Sequence, residues 1–333
     1  MTDNVKLVEL NMQDIFGLSA PAKKLVKTIS SAIGKFYEPW HITRMGKAEA
    51  ERIRCIGQAA NDVNVELCYE KDGINIDNTK MSALACRQLE RSCFQELRKQ
   101  HNVEAVNQFA FEDIQAKANV SDEAVSLDWL NNFYAYVENV SDERMQIIWG
   151  KILAGEVERP GMYSLRTLDV LRKMTMEDAN LFQMIVPLIL KSDSDSNPNS
   201  CDYFILSSLK YGDYGVTLED IIRMDEAGLM KQSSSIGLRF SVPGKASETI
   251  MGYSRNIVLR NNSEDEECLE QMVYLLTAAG KELYNMVAKT ELKMPEEDYY
   301  RECINVFKNN DVNRALVAQK EEFVIDIVLE NKE

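Results

Sequence analysis

The chain has 333 residues, of which 45% are hydrophobic and 27% charged, the composition of a globular protein with a sizeable core and room for two domains. Its net charge of −15 opposes nonspecific nucleic-acid binding by the whole molecule, because phosphate contacts need a basic surface. No window approaches the roughly 18 to 20 uninterrupted apolar residues of a bilayer-spanning helix, and the N-terminus lacks the apolar region of a signal peptide. We therefore expect a cytoplasmic protein.

The cysteines and histidines argue against a metal or redox site. Seven cysteines are scattered without a CxxC pair, and the histidines are His41 and His101. Buried thiols in a reducing compartment are the expected state of such cysteines. A phosphate loop, a nucleophile elbow and a zinc-protease motif are also missing from the sequence. We expect no metal, no cofactor and no catalytic residue, although an enzyme site assembled from scattered carboxylates stays open.

A basic amphipathic helix is predicted near the N-terminus, after a flexible lead over residues 1–18. Ser19 is a suitable N-cap, and Gly34 is a suitable end. Between Lys23 and Arg54, eight Lys and Arg residues stand against three Glu residues, a local charge of +5. Such a helix either docks on a neighbouring helix with its lysines solvated, or lies on a partner or an anionic membrane. The candidate contact residues are Lys23, Lys24, Lys27, Lys35, Trp40 and Arg44.

Three more helices are predicted before residue 139. They cover 41–70, Thr79–Ala118 and Glu123–Glu138, the last with Ser121 as its cap. The helix over Thr79–Ala118, or two helices joined near His101-Asn102, is long enough to be the spine of a bundle or the seam of a dimer. Self-association is therefore one expectation.

The segment from Glu138 to Phe182 contains the densest run of helix signals in the chain. Ser141, Ser164 and Thr175 are predicted to cap three successive helices. The first two are separated by the helix-breaking pair Pro160-Gly161. Turns this short require the three helices to pack on one another.

Several side chains of this segment are candidates for particular roles. Trp149 lies within the apolar spacing of the first helix and is predicted to be its structural anchor. Three arginines flank the Pro-Gly turn and are candidate contacts for an anion or a partner: Arg159, Arg166 and Arg172. The carboxylates are expected to be solvated or to stabilise helix ends: Glu156, Glu158 and Asp178.

Two parts of the sequence also carry a family resemblance. The first is Ser141 to Phe182, with Trp149, Ile152-Leu153-Ala154-Gly155-Glu156, Pro160-Gly161 and Ser164-Leu165-Arg166-Thr167-Leu168. The second is Leu18 to Glu51, with Pro21, Lys24-Leu25, Gly34, Tyr37, Pro39 and Lys47-Ala48-Glu49-Ala50. They resemble an uncharacterised bacterial domain-of-unknown-function family, which is similar over the first region to the abortive-infection protein alpha family. The resemblance implies a bacterial protein from the neighbourhood of phage-defence or mobile-element genes, and it brings no catalytic motif.

The chain changes character after residue 190. The stretch 191–200 contains no hydrophobic residue and is predicted to be a linker. It would separate a helical domain, 19–190, from a second domain, 201–333. In the second domain the predicted elements are short helices over Tyr203–Tyr211 and Thr217–Met224, strands over Ile236–Val242, Ile250–Arg260 and Met272–Leu276, helices from Thr277 to Val287 and from Tyr299 to Phe307, and a closing strand over Phe323–Leu329. The predicted fold is mainly α, an N-terminal helical bundle domain followed by a small α/β winged-helix-like domain.

The charge of the second domain bears on its partner. Residues 201–333 contain 15 basic and 24 acidic side chains, a net charge of −9. The candidate recognition helix, Thr217 to Leu229, has one basic residue, Arg223, so phosphates would repel it. We expect a non-enzymatic protein-interaction or effector protein, and the resemblance implies anti-phage defence of the abortive-infection type. The alternatives are a winged-helix nucleic-acid-binding regulator and a membrane-surface effector that acts through the N-terminal helix.

Overall fold

The computed structural model describes residues 18–33, 67–70, 73–76, 83–194, 197–231, 237–287, 297–309 and 325–331. The described part is largely helical, with an antiparallel sheet in the C-terminal region. The chain divides into two compact units, Met1–Tyr163 and Ser164–Glu333, which are called unit 1 and unit 2 below.

The described elements of unit 1 are four helices and a short hairpin. They are α1 (Ala20–Ile33), β1 (Leu67–Glu70), β2 (Gly73–Ile76), α2 (Ala83–Gln115), α3 (Leu127–Val137) and α4 (Glu143–Glu158). Strands β1 and β2 pair in antiparallel fashion, with Leu67 opposite Ile76. The helix predicted over 41–70 is therefore wrong at its end, where β1 lies; its other residues fall outside the described part of the chain.

Helix α2 is one continuous helix of 33 residues that passes through His101 without a break. Its described side chains before His101 are mostly exposed, whereas Val106, Ala110 and Ile114 are fully buried. The buried half packs on α4. A Cβ added at Gly150 of α4 would lie 2.6 Å from the Cβ of Phe109, so the two helices touch nearly backbone to backbone at this point.

A buried polar link joins α2 to the turn before α4. The side-chain nitrogen of Asn102 donates to the Glu138 carbonyl at 2.9 Å. Gln146 donates to the Asn102 side-chain oxygen at 3.2 Å and to the Val140 carbonyl at 2.8 Å. Because these bonds satisfy carbonyls that α3 and its following turn leave unpaired, they determine where α4 begins.

Two of the predicted N-terminal caps differ from the observed ones. Asp142, not Ser141, caps α4, and its carboxylate accepts from two backbone N–H groups in the first turn. Ser126, not Ser121, caps α3, which starts four residues later than predicted. In both places a second residue with a short polar side chain competes for the cap, and the sequence alone does not choose between them.

Unit 2 contains five helices, two single 3₁₀ turns and eight strands among its described residues. They are α5 (Leu165–Lys173), α6 (Met176–Ile185), the turn Val186–Leu188, β3 (Leu190–Ser194), β4 (Asn197–Leu206), the turn Tyr211–Tyr214, α7 (Leu218–Glu226), β5 (Met230–Lys231), β6 (Gly237–Val242), β7 (Ser247–Met251), β8 (Arg255–Asn261), β9 (Glu267–Leu276), α8 (Ala278–Val287), α9 (Glu297–Asn309) and β10 (Ile325–Asn331).

The strands pair in antiparallel fashion in the order β10-β8-β7-β3-β4-β9-β5, and β6 also pairs with β9. Strand β9 is long enough to pair with three strands, β4, β5 and β6. Its first half pairs with β6, with Glu267 opposite Val242, and its second half pairs with β4, with Leu275 opposite Phe204. Helix α9 contributes four fully buried side chains to the core of unit 2: Tyr299, Tyr300, Cys303 and Phe307.

The hairpin β3–β4 corrects two expectations. The described residues of the stretch 191–200, which was predicted to be a linker, belong to these two strands, with Lys191 opposite Tyr203. The helix predicted over Tyr203–Tyr211 is absent, because β4 continues to Leu206. A ladder is held by backbone hydrogen bonds and tolerates polar side chains, and a run of four apolar residues is too short to separate strand from helix by periodicity. The resulting sheet is larger than the β-hairpin of a winged-helix module.

Candidate interaction surface

The basic residues predicted near the N-terminus have unlike environments. The Lys24 ammonium donates to the carbonyls of Ser121 at 2.6 Å and Val157 at 2.8 Å, so it ties α1 to the loop before α3 and to the last turn of α4. Burial lowers the pKa of Lys24, an effect that nearby carboxylates oppose. Lys23 is half-buried and Lys27 is exposed. The other candidates lie outside the described residues: Lys35, Trp40 and Arg44.

The apolar side of α1 is already covered. Ala22, Leu25 and Ile29 are fully buried where α1 packs against α2, α3 and α4. A surface helix must place its apolar side in the interfacial region of a bilayer. Contact with a membrane through this side would therefore require α1 to leave unit 1.

The three candidate arginines are all exposed. Arg159 is the C-terminal cap of α4 in unit 1. Arg166 and Arg172 lie on α5 in unit 2, and six residues of α-helix place them about 120° apart around the axis. They do not form a joint anion site on α5.

Trp149 is fully buried in unit 1. Its ring packs edge-on against Phe133, with centroids 5.5 Å apart, and against Tyr136 at 6.3 Å. Its indole nitrogen finds no hydrogen-bond acceptor among the described residues. The contribution of Trp149 is therefore packing between α3 and α4, which is a structural role.

Glu156 and Asp178, which were expected to be solvated or to stabilise helix ends, are buried and hydrogen-bonded. Glu156 is 2% exposed, and its two oxygens accept from the backbone N–H groups of Gly161 at 2.6 Å and Tyr163 at 3.0 Å. It thereby holds the turn in which Gly161 adopts a φ of 82°. In unit 2, Glu282 of α8 similarly accepts from the backbone of Ser164 at 2.7 Å. A sequence signal for Glu156 exists in retrospect, since a carboxylate one turn before a Pro-Gly break is suited to bind the freed N–H groups.

Asp178 is the second of these carboxylates, and it neutralises Arg223, the one basic residue of α7, by forming an ion pair with it. Thr175 and Asp178 form the predicted capping box at the start of α6. The Asp178 carboxylate also accepts from the Arg223 guanidinium at 2.6 Å, and Glu177 accepts from the same group at 3.0 Å. Although burial raises the pKa of Asp178, these hydrogen bonds outweigh it and hold the pKa below its ordinary value. Arg223 is thus occupied within unit 2.

The outer face of α7 combines exposed apolar and acidic side chains. Leu218 is 56% exposed and Ile222 is 38% exposed, one helical turn apart. The inner face of the same helix buries Ile221 and Met224 completely. The exposed acidic residues are Glu219, Asp225 and Glu226. We call Leu218, Glu219, Ile222, Asp225 and Glu226 the α7 face.

The surroundings of the α7 face add one more exposed apolar side chain. Met184 of α6 is 51% exposed, and its methyl group lies 3.8 Å from the Cβ position of Gly215, three residues before Leu218. The sequence contains a signal for this surface, which is the number of apolar residues in α7. One buried stripe of a nine-residue helix needs two or three apolar positions, and α7 has four, at 218, 221, 222 and 224.

Chemistry that would need a cluster of ligating groups has no visible basis in the described part of the chain. There, no group of three or more His, Cys, Asp or Glu side chains is arranged to hold a metal ion. Burial raises the pKa of the Cys303 thiol to about 12, which makes it a poor nucleophile. No described helix combines the length and the apolar character needed to cross a bilayer.

Comparison with known proteins adds a family. The model of the family described as "Protein of unknown function (DUF2806)" matches residues 86–302, about two thirds of the chain. No curated protein and no solved structure matches the chain. The matched range runs from α2 into α9, so it includes the Glu156 turn in unit 1 and the α7 face in unit 2. The chain belongs to the DUF2806 family, a family of proteins of unknown function.

Proposed function

We propose that the protein is a non-enzymatic interaction or effector protein that binds another protein through the α7 face. The observation that carries this proposal is the exposure of Leu218 and Ile222 on a helix whose inner side already fills the core with Ile221 and Met224. The fold of unit 2 does not require these two outer side chains to be apolar. Exposed apolar groups with a polar rim are typical of protein–protein contact surfaces.

Charge favours a protein over a nucleic acid as the partner. The α7 face has three exposed carboxylates, and the guanidinium of the helix's one basic residue, Arg223, is bound to Asp178 and Glu177. Bringing such a face to phosphates is electrostatically unfavourable. A winged-helix nucleic-acid-binding regulator is for this reason the weaker alternative. The membrane-surface alternative is weaker too, because the apolar side of α1 is buried in unit 1.

The setting that we propose is anti-phage defence of the abortive-infection type in a bacterial cytoplasm. It rests on the resemblance of Ser141–Phe182 and Leu18–Glu51 to a family of unknown function that is similar, over the first of these regions, to the abortive-infection protein alpha family. Two further elements belong to the same proposal. One is an N-terminal helical bundle with α2 as its spine, and the other is self-association through α2. The exposed first half of that helix, with Phe94 67% exposed, supports it. Light scattering at micromolar concentration should show an oligomer, and a monomer would remove this element.

The test is affinity purification of the full chain from phage-infected and uninfected cells, followed by identification of everything bound. Three forms are compared: wild type, Leu218→Ser/Ile222→Ser, and the matched control Leu127→Ser/Leu165→Ser. The control replaces two exposed apolar side chains outside α2 and the α7 face, since Leu127 is 58% exposed and Leu165 is 46% exposed. Circular dichroism establishes that all three forms are folded.

The expected result is a protein that co-purifies with wild type and with the control but is depleted with Leu218→Ser/Ile222→Ser. Nucleic acid or lipid as the bound species would support one of the alternatives. Equal recovery of the same proteins by all three forms would contradict the assignment of binding to α7.

A further inference from the structure

The surroundings of Ile222 define the chemistry that the α7 face can accept. Residues three and four positions away are the surface neighbours of a helical residue. For Ile222 these are Leu218, Glu219, Asp225 and Glu226, and all of them are exposed. One neighbour is apolar and three are acidic, so the face presents an apolar pair within a ring of negative charge.

The three carboxylates of the ring are not compensated by the described residues of unit 2. Glu219, Asp225 and Glu226 form no ion pair within the part of the chain that the structure describes. Asp225 and Glu226 also lie in the last turn of α7. The helix dipole places partial negative charge at this end, so carboxylates are disfavoured there. Residues that work against the local stability of a helix are expected where a partner uses them.

We infer that the segment bound by the α7 face is a basic amphipathic helix of another protein. This inference rests on the proposed function and names the partner's chemistry. Two apolar side chains one turn apart on the partner would cover Leu218 and Ile222, as in helix–helix recognition through spaced anchors. Lys and Arg side chains on either side would pair with the three carboxylates and relieve the charge at the end of α7.

A second copy of the chain is a poor occupant. The described basic amphipathic helix of the chain itself is α1, and its apolar side chains Leu25, Val26 and Ile29 are buried in unit 1. Its Lys24 ammonium is bound to two carbonyls. A folded copy therefore cannot offer the apolar side of α1 to α7.

The probe for a direct test is a fluorescein-labelled synthetic helical peptide with leucines four positions apart and lysines on both flanks. Its binding to the full chain is measured by fluorescence anisotropy at low and at physiological salt. Two control peptides accompany it, one with each lysine replaced by glutamate and one with the same composition in scrambled order. The chain is used in four forms: wild type, Leu218→Ser/Ile222→Ser, Glu219→Gln/Asp225→Asn/Glu226→Gln, and the control Leu127→Ser/Leu165→Ser.

Wild type and the control form should bind the basic amphipathic peptide with equal affinity. Both α7 variants should bind it at least about tenfold more weakly, because each removes one of the two complementary features. Affinity should fall with added salt for wild type and much less for the neutralised variant. The neutralised variant should unfold at the same or a higher temperature than wild type, which excludes misfolding as the cause.

Three results would overturn the inference. They are the absence of peptide binding, equal binding by all four forms, and equal binding of the acidic or scrambled peptide. Dissociation of an oligomer of the full chain by the α7 variants would assign the face to a second copy and overturn it as well. If a protein co-purifies through Leu218 and Ile222 but the basic peptide does not bind, the proposed function stands and only the partner's chemistry is wrong.

Discussion

Two tryptophans of unit 1, Trp129 and Trp149, are buried, but only the indole nitrogen of Trp129 has a hydrogen-bond acceptor among the described residues. Replacing each by phenylalanine therefore tests the same change with and without a hydrogen bond. The indole nitrogen of Trp129 donates to the Tyr163 carbonyl at 2.7 Å, and the residue is 5% exposed. The indole nitrogen of Trp149 is fully buried and has no acceptor among the described residues. Replacement of either by phenylalanine removes the N–H group and about the same volume.

The expected free energies of unfolding differ because of what each replacement leaves behind. Trp129→Phe leaves the Tyr163 carbonyl without its donor, which costs about 1 to 3 kcal/mol. Trp149→Phe removes a donor that was already unpaired, so it relieves a penalty of similar size. We expect Trp129→Phe to be less stable than Trp149→Phe by about 2 kcal/mol or more. Trp149→Ala, which empties the site, should cost about 3 to 5 kcal/mol.

Urea unfolding measures this difference. The tryptophans of the chain, Trp40, Trp129 and Trp149, all belong to unit 1, so tryptophan fluorescence reports that unit. With an m value of about 2 kcal/mol/M, a difference of about 2 kcal/mol separates the two midpoints by about 1 M. A midpoint for Trp149→Phe at or below that of Trp129→Phe would refute the assignment of an unpaired indole nitrogen to Trp149.

Three more predictions concern single residues. Because the pKa of Asp178 is held below its ordinary value, its stabilising effect on unit 2 is present above about pH 4 and is lost as the pH falls further. Urea unfolding should show this loss of stability in wild type, and the stability of Asp178→Asn should depend less on pH over the same range. Gly150→Ala, which in an open helix would stabilise by about 1 kcal/mol, should destabilise unit 1 by about 1 to 3 kcal/mol, because the added methyl group meets the backbone of α2; a raised urea midpoint would contradict that contact. The Cys303 thiol, with its pKa raised to about 12 and full burial, should stay unmodified by a thiol reagent at pH 8 while the partly exposed Cys268 reacts; rapid labelling of Cys303 in folded protein, read by mass spectrometry, would place it at the surface.

The helix signals were the most informative part of the sequence. The helix starts predicted at Thr175 and Thr217 are confirmed. Each Thr forms a capping box with the Asp three residues later, which satisfies the first turn by local bonds alone. The hairpin β3–β4 could not be predicted in this way. Its polar residues pair within the hairpin, with Ser192 opposite Asp202, and its apolar end pairs with the distant strand β9, with Phe204 opposite Leu275. A polar composition contains no record of either pairing.

The candidate surface shows the same division between local and distant information. The acidic charge of α7 is visible in the sequence, and it argues against phosphate contact. The assignment of Arg223 to Asp178, 45 residues away, is visible only in the fold. Without it, the one positive charge on α7 looks available to a partner. The burial of Glu156 was missed for a related reason, since its partners are the N–H groups of a turn whose conformation is set by φ at Gly161.

The pairing of β10 with β8 also has a consequence for synthesis on the ribosome. Asn261 of β8 pairs with Ile325 of β10, so residues 262–324 must emerge before that edge of β8 can be completed. Until then the nascent chain presents an unsatisfied row of N–H and C=O groups along a strand whose Ile257 and Leu259 are destined for the core. The helices α2, α3 and α4 of unit 1 have all left the ribosome by that stage, and α2 packs on α1, α3 and α4. Unit 2 is therefore the part of the molecule whose vectorial folding most depends on protection from aggregation.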